Sequence, residues 1–285
     1  MTMPYAEVIG DPIAQSKSPL IHGFWIAKFG LTADYKARHV LAGDLETYLD
    51  QRRTDPDWRG CNVTMPHKQA ILPLLDHLDP LARQVGAVNT VVRNQDGSLT
   101  GFNTDVAGFL EPLASDLQND HLFRMARILG TGGAARAIVV ALADRGFTLV
   151  IAGRDPAKAE RLLEELAPRG ESFTPPLSHF AKATDFAFDD REGCYDLVVN
   201  ASPLGMTGQP DLPFDVSHAP PGSIIYDIVT SPAQTPLLRD AQANGFDTID
   251  GLSMLIGQAR EAFRLFFHET APGEWDDELR GLLLA

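Results

Sequence analysis

Short runs of β-branched and apolar residues, each bounded by glycine or proline, alternate along this chain with longer segments whose apolar residues recur at helical spacing. That alternation is the pattern of βα units built around a parallel sheet, and it predicts an α/β fold. Runs at 5–9, 35–40, 60–63 and 87–93 read as strands, and segments 19–29, 42–52 and 67–75 as helices. Arg93-Asn94-Gln95-Asp96-Gly97-Ser98-Leu99 reads as a turn between two short strands, because Asp-Gly supplies the positive φ that a hairpin needs. Asn103, Thr104 and Asp105 then fall just beyond a strand, followed by a helix over 106–117. A polar patch at 116–120 reads as a linker ahead of a fresh strand at 127–129. Further strands are predicted at 147–152, 196–200 and 223–227, and 252–268 is an amphipathic helix. No short-period repeat or low-complexity tract interrupts this order.

With 285 residues, the chain is long enough for two domains, each with its own core. The net charge of -14 argues against a nucleic-acid-binding surface, which needs clustered Lys and Arg. It leaves room for a small anion held by backbone N–H groups and one or two cations. Cys61 and Cys194 belong to no metal-ligand spacing, so no metal site is expected and both read as inert core thiols. No window is apolar enough to span a bilayer and the N-terminal segment lacks a signal-peptide pattern, so no membrane partner and a cytoplasmic location are expected.

The segment Ile128-Leu129-Gly130-Thr131-Gly132-Gly133-Ala134-Ala135 gives G-x-G-x-x-A directly after a strand, opening a helix that runs to about Arg145 with Gly146 as its cap. Gly130 would make the tight turn and Gly132 would let the backbone approach a pyrophosphate. Ala135 would allow close helix-to-strand packing, with the helix N-terminus facing the phosphates. A plain tight βα turn is the competing reading. After the next strand comes Arg154-Asp155, with Lys158 one helical turn later. A guanidinium and an ammonium suit a 2′-phosphate and point to NADP; Asp155 either caps the helix before Pro156 or, as a carboxylate near the ribose, makes NAD possible.

Hydrogen-bonding residues also collect at strand ends in the N-terminal part. Ser16-Lys17-Ser18-Pro19 opens a helix, where Ser18 is either an ordinary N-cap or part of a carboxylate-binding loop. Asn62-Val63-Thr64-Met65-Pro66-His67-Lys68 ends a strand on the usual ligand side of an α/β sheet. Asn89-Thr90 and Asn103-Thr104-Asp105 repeat the theme, though each could simply cap a turn, and Lys68 taken alone is an ordinary surface lysine.

Together SKSP, NVTMPHK, GAVNT, GFNTD, LGTGGAARA, NASPLGM, YDIVTSPAQTPLL and DGLSMLIGQA, in this order, resemble the shikimate dehydrogenase family over nearly the whole chain. The resemblance implies a substrate-binding catalytic domain at 1–107, a Rossmann domain at 108–251, and a helical segment at 252–285 that returns to the first domain. It implies reversible NADP-dependent reduction of 3-dehydroshikimate to shikimate, a step of aromatic amino-acid biosynthesis, by a monomer or homodimer. Lys68 and Asp105 would be catalytic. Ser16 and Ser18 would bind the substrate carboxylate, and Thr64, Asn89 and Gln258 the ring oxygens. Gly130, Thr131, Gly132, Gly133, Ala134, Arg154, Lys158, Asn200, Ala201, Ile228 and Gly251 would line the dinucleotide.

Thr230 stands where that family's pattern has a tyrosine near the substrate, which predicts a wider or wetter pocket, and Asp155 stands where a Thr or Ser often follows the cofactor arginine. These two positions motivate an alternative, a quinate- or NAD-using paralogue. A third reading, a non-catalytic dinucleotide-binding regulator, is opposed by the joint presence of Lys68 and Asp105.

Overall fold

The structure, a computed structural model, describes residues 3–118, 123–185 and 194–285. Its described residues divide into two compact units, residues 1–108 with 256–285, and residues 109–255. Both are α/β, as the alternation of runs predicts. Among the described residues no helix is long and apolar enough to cross a membrane. Part of the expected linker, residues 119–120, and the Cys194 side chain lie outside the described residues.

The first unit runs β1 (Tyr5–Gly10), α1 (Ser18–Phe29), β2 (Asp34–His39), α2 (Leu45–Arg53), β3 (Trp58–Val63), α3 (His67–Ala70), β4 (His77–Leu78), α4 (Pro80–Val85), β5 (Thr90–Arg93), β6 (Leu99–Phe102) and α5 (Asp105–Leu110). Its six-stranded sheet has the order β2-β1-β3-β5-β6-β4. β1 pairs in parallel with β2 and β3, whereas β5 is antiparallel to both β3 and β6. One face packs Ile9, Leu49, Trp58, Val63, Ile71, Val91 and Leu99 into a buried core.

Several boundaries depart from the sequence reading for local reasons. The helix expected over 67–75 is only α3 plus a 3-10 turn at Leu72–Leu74, because Pro73 has no N–H to continue the ladder. Pro112 likewise ends the helix expected over 106–117 at Leu110, with 3-10 turns following. The strand expected from 87 begins at Thr90. α4, missed in the sequence, starts at an Asp79 side chain that accepts from the Leu81 N–H and stops at Gly86 with φ 64.

The second unit runs β7 (Phe123–Leu129), α6 (Gly133–Ala143), β8 (Thr148–Ala152), α7 (Pro156–Leu166), β9 (Ser172–Phe173), β10 (Cys194–Asn200), β11 (Ile224–Asp227), α8 (Pro236–Ala243) and β12 (Asp247–Ile249). Its sheet has the order β12-β11-β10-β7-β8-β9, with every pairing parallel. The chain therefore winds outward in one direction from β7 and in the other from β10, which is the doubly wound dinucleotide-binding topology. α9 (Gly251–Phe267) begins in this unit, and residues from Ile256 onward belong to the first. There Phe263 packs on Trp25 at 5.4 Å, and Trp275, just ahead of α10 (Asp276–Leu284), packs edge-on against Phe29 at 5.0 Å.

One buried group in the first unit makes stability depend on pH. His22 is fully buried on α1 and stacks on Tyr35 at 3.9 Å, with their planes 1° apart. Burial pushes its pKa from 6.5 down to about 3, outweighing the opposing pull of the Asn62 side chain. The unfolded chain takes up a proton at His22 below its ordinary pKa that the fold cannot accept. Stability present above that point is therefore lost as pH falls toward the folded value, by up to about 1.4 kcal/mol per pH unit. Urea unfolding of His22→Leu should show a shallower loss of stability on acidification than the parent. Parallel curves for the two proteins would assign the slope to other groups.

Candidate active site

In the first unit, the residues predicted at strand ends converge on one polar cluster. Lys68, on the short helix after β3, donates from Nζ to Asp105 Oδ2 at 2.6 Å. The two side chains retain only 17% and 6% exposure, so the pair is largely shielded from water. Asn89 Nδ2 donates to the other carboxylate oxygen, Asp105 Oδ1, at 2.8 Å. The orientation of the Asn89 amide is set by its neighbours: its Oδ1 accepts from the Thr104 N–H at 2.7 Å, so its NH₂ must face Asp105 and the Thr104 hydroxyl. Asn103 closes the turn, accepting from the Asp105 N–H at 3.1 Å and donating to Ala87 O at 2.9 Å. Asp105 is thus fixed at the first turn of α5, and the Lys68 backbone oxygen is tied to the same layer by the Val88 N–H at 2.8 Å.

Ser18 opens α1 as its first residue and does not cap it; the cap position is Lys17, with no side-chain hydrogen bond. The N-cap reading of Ser18 is therefore replaced. Ser16 Oγ accepts the Ser18 N–H at 3.3 Å, and the Ser18 side chain is buried. Thr64 is half-buried after β3, and its methyl would lie 2.4 Å from a Cβ at Gly10, so the loop leading to Ser16 and Ser18 runs hard against it. Gln258 is half-buried on α9 in the same unit. Thr230 belongs to the second unit, half-buried shortly after β11.

The second unit builds its site at the switch point between β7 and β10. Gly130 follows β7 with φ 137, and a Cβ there would sit 2.6 Å from the backbone of Ala201, just after β10. Its N–H donates to Ala152 O at 2.8 Å, at the end of β8. Gly132 is exposed, and a Cβ on it would meet nothing within 4 Å, so the N-terminus of α6 is open to an approaching phosphate. Thr131, Gly133 and Ala134 are half-buried around that opening. Gly251 marks another close approach, where a Cβ would lie 2.3 Å from Val229 O and 2.5 Å from the Ile228 backbone.

Asp155 accepts the Ala157 N–H at 3.1 Å as the N-cap of α7, while Arg154 and Lys158 are exposed beside it. One of the two carboxylate oxygens thus serves the helix end. Asn200 is buried with its side chain fully used inside the fold. Its amide donates to Leu204 O at 2.9 Å and Asp227 Oδ1 at 3.0 Å, and its oxygen accepts from the Ser202 N–H and hydroxyl at 3.1 and 2.8 Å. The sequence reading missed the groups behind it. Asp227 accepts from the Val229 N–H at 3.0 Å and the Thr235 hydroxyl at 2.7 Å, and burial holds its carboxyl above the usual range against these hydrogen bonds. The only signal for them was a polar residue at a strand end. Among the described residues no group of His, Cys, Asp or Glu could hold a metal ion. Burial pushes the Cys61 thiol pKa up, which keeps it inert.

A family model described as the shikimate dehydrogenase substrate binding domain matches residues 8–91. Over 99% of this chain and 97% of the relative, the sequence is 50% identical to an NADP(+) shikimate dehydrogenase of Sphingopyxis alaskensis. The crystal structure of shikimate 5-dehydrogenase from Thermus thermophilus, in complex with NADP(H) and shikimate, superposes with a TM-score of 0.83 at 33% identity, covering 99% of this chain and 100% of that one. A 5-ketofructose reductase of Gluconobacter, in ligand-free form, gives a TM-score of 0.82 at 29% identity, covering 99% of both chains.

Proposed function

Because the chain belongs to the shikimate dehydrogenase family, we propose that its Lys68–Asp105 pair handles the proton in the interconversion of 3-dehydroshikimate and shikimate. The enzyme is an NADP-dependent oxidoreductase, and its reaction is that of the shikimate pathway. The observation that carries the proton assignment is the shielded 2.6 Å contact between Lys68 Nζ and Asp105 Oδ2. Reducing a ketone builds negative charge on its oxygen. An ammonium held at that oxygen stabilises the charge and delivers the proton; in the reverse direction the amine takes the hydroxyl proton at Nζ. Asp105, gripped on its far side by Asn89, keeps the Lys68 head group in one place. Ser16 and Ser18 bind the substrate carboxylate, and Thr64, Asn89 and Gln258 its ring hydroxyls.

NADP, when bound, accepts the hydride in oxidation and supplies it in reduction. Gly130, Thr131, Gly132, Gly133 and Ala134 cradle its pyrophosphate, with Ala201, Ile228 and Gly251 lining the remainder through backbone and small side chains. Arg154 and Lys158 hold the 2′-phosphate. Arg154→Ala should therefore raise KM for NADP about tenfold, as one charge-assisted contact is lost, and leave KM for NAD nearly unchanged. Equal effects on the two cofactors would place Arg154 elsewhere. The direct test of the activity incubates the purified protein with shikimate and NADP and follows NADPH and 3-dehydroshikimate together. One-to-one formation is expected, and absence of both would overturn the reading.

A further inference from the structure

Behind the Lys68–Asp105 pair a row of buried polar groups runs back from Asn89, and the mechanism above uses none of Thr90, Asn62 and Tyr35. Tyr35, on β2, donates its hydroxyl to Asn62 Oδ1 at 2.6 Å. Asn62, on β3, donates from Nδ2 to Thr90 Oγ1 at 3.0 Å. The Thr90 hydroxyl donates to Asn89 Oδ1 at 3.2 Å, and Asn89 donates onward to Asp105 Oδ1 at 2.8 Å. Tyr35, Asn62, Thr90, Asn89 and Asp105 are each at most 6% exposed.

The direction of these bonds is fixed. A carboxylate can only accept, so the Asn89 NH₂ must face Asp105 and its oxygen must face Thr90. That oxygen can only accept, so Thr90 donates to it and must in turn receive the Asn62 NH₂. The Asn62 oxygen is then left to the phenol. Every donor from Tyr35 to Asn89 points toward the carboxylate, and in such a row each bond polarises the next. The Tyr35 ring is itself clamped face to face by His22. Pieces from β2, β3 and β5 are thereby assembled into one element whose end is a catalytic carboxylate.

We propose that Tyr35 and Asn62 are positioning residues which, through Thr90 and Asn89, set the orientation of Asp105 and hence of the Lys68 ammonium. This rests on the reading of Lys68 and Asp105 as the proton-handling pair. Losing the phenol hydroxyl leaves the Asn62 oxygen without its donor, so the amide row can relax and the lysine loses its fixed aim.

Tyr35→Phe keeps the ring and its stacking on His22 and removes only the hydroxyl. Steady-state kinetics should show kcat for shikimate oxidation reduced about tenfold, with KM for NADP unchanged. In an Asp105→Asn background the same substitution should cost less than twofold, because the group it positions is already gone. A merely structural role would lower the melting temperature and reduce kcat by the same factor in both backgrounds; that result, or an unchanged kcat in Tyr35→Phe, overturns the proposal. Thr90→Val severs the row at another link and must reproduce the pattern; it decides the matter if Tyr35→Phe does not fold. Lys68→Met, measured alongside, separates the two ideas. A normal rate there removes the proton assignment itself, whereas a large loss there beside an inert Tyr35→Phe removes only the positioning row.

Discussion

Lys68→Met is expected to lower kcat for shikimate oxidation roughly a thousandfold while changing KM for NADP little, since general acid–base groups contribute about 10²- to 10⁴-fold. Methionine keeps the length and much of the apolar stem of lysine and removes the ammonium. The substitution also strands Asp105, whose side chain is buried and would keep only Asn89 as a side-chain donor. A fall in stability of about 1–3 kcal/mol should accompany the loss of rate. The two effects can be pulled apart. Adding Asp105→Asn removes the stranded charge, so the double variant should regain most of the melting temperature and none of the rate. Non-additive kinetics of this kind are expected of groups that act as a unit. If Lys68→Met retained kcat within tenfold of the parent, another group would have to move the proton.

The second large effect belongs to the glycine turn, where two neighbouring glycines should fail in different ways. Gly130→Ala places a Cβ at φ 137 and 2.6 Å from the Ala201 backbone, which cannot move aside as a flexible side chain can. The substitution should cost about 1–3 kcal/mol in backbone strain, before the clash that pushes the ends of β7 and β10 apart. Both the melting temperature and NADP binding should fall. Gly132→Ala has ordinary φ of -86 and free space around its Cβ, so the protein should melt as before. Its methyl would stand where the pyrophosphate must approach, and KM for NADP should rise at least tenfold with stability unchanged. Thermal unfolding with and without NADP distinguishes these signatures; a Gly132→Ala protein with normal NADP affinity would remove the turn from the cofactor site.

What could be read from the sequence was what the chain determines locally. The strand, turn and helix around Gly130 lie within a short stretch, and the order of apolar runs is enough to predict an α/β fold. Asp155 could be read either as a ribose ligand or as a helix cap; its bond to the Ala157 N–H favours the cap. The Lys68–Asp105 contact spans 37 residues of sequence and has no local signature. Only the resemblance of the surrounding motifs suggested it. Tyr35 looked like an ordinary strand residue, and its partner Asn62 lies 27 positions away on β3, with β1 between the two strands, so their bond depends on the parallel alignment of β2, β1 and β3. For Asn200 the resemblance suggested a cofactor contact, but nothing in the sequence pointed to its partners: its amide donates to Leu204 and Asp227, and its oxygen accepts from Ser202. Pro73 and Pro112 were visible, but apolar periodicity carried the predicted helices through them.

A shared fold does not fix a substrate, and a ketofructose reductase of similar shape makes the point. Thr230 and Asp155 are where preference would change first. The measurement that tests the account most directly is kcat/KM for shikimate and for quinate, each with NADP and with NAD, on the unaltered protein. The account predicts that shikimate with NADP exceeds the other three combinations by at least about tenfold. Turnover of quinate in preference to shikimate, or of neither, would contradict it.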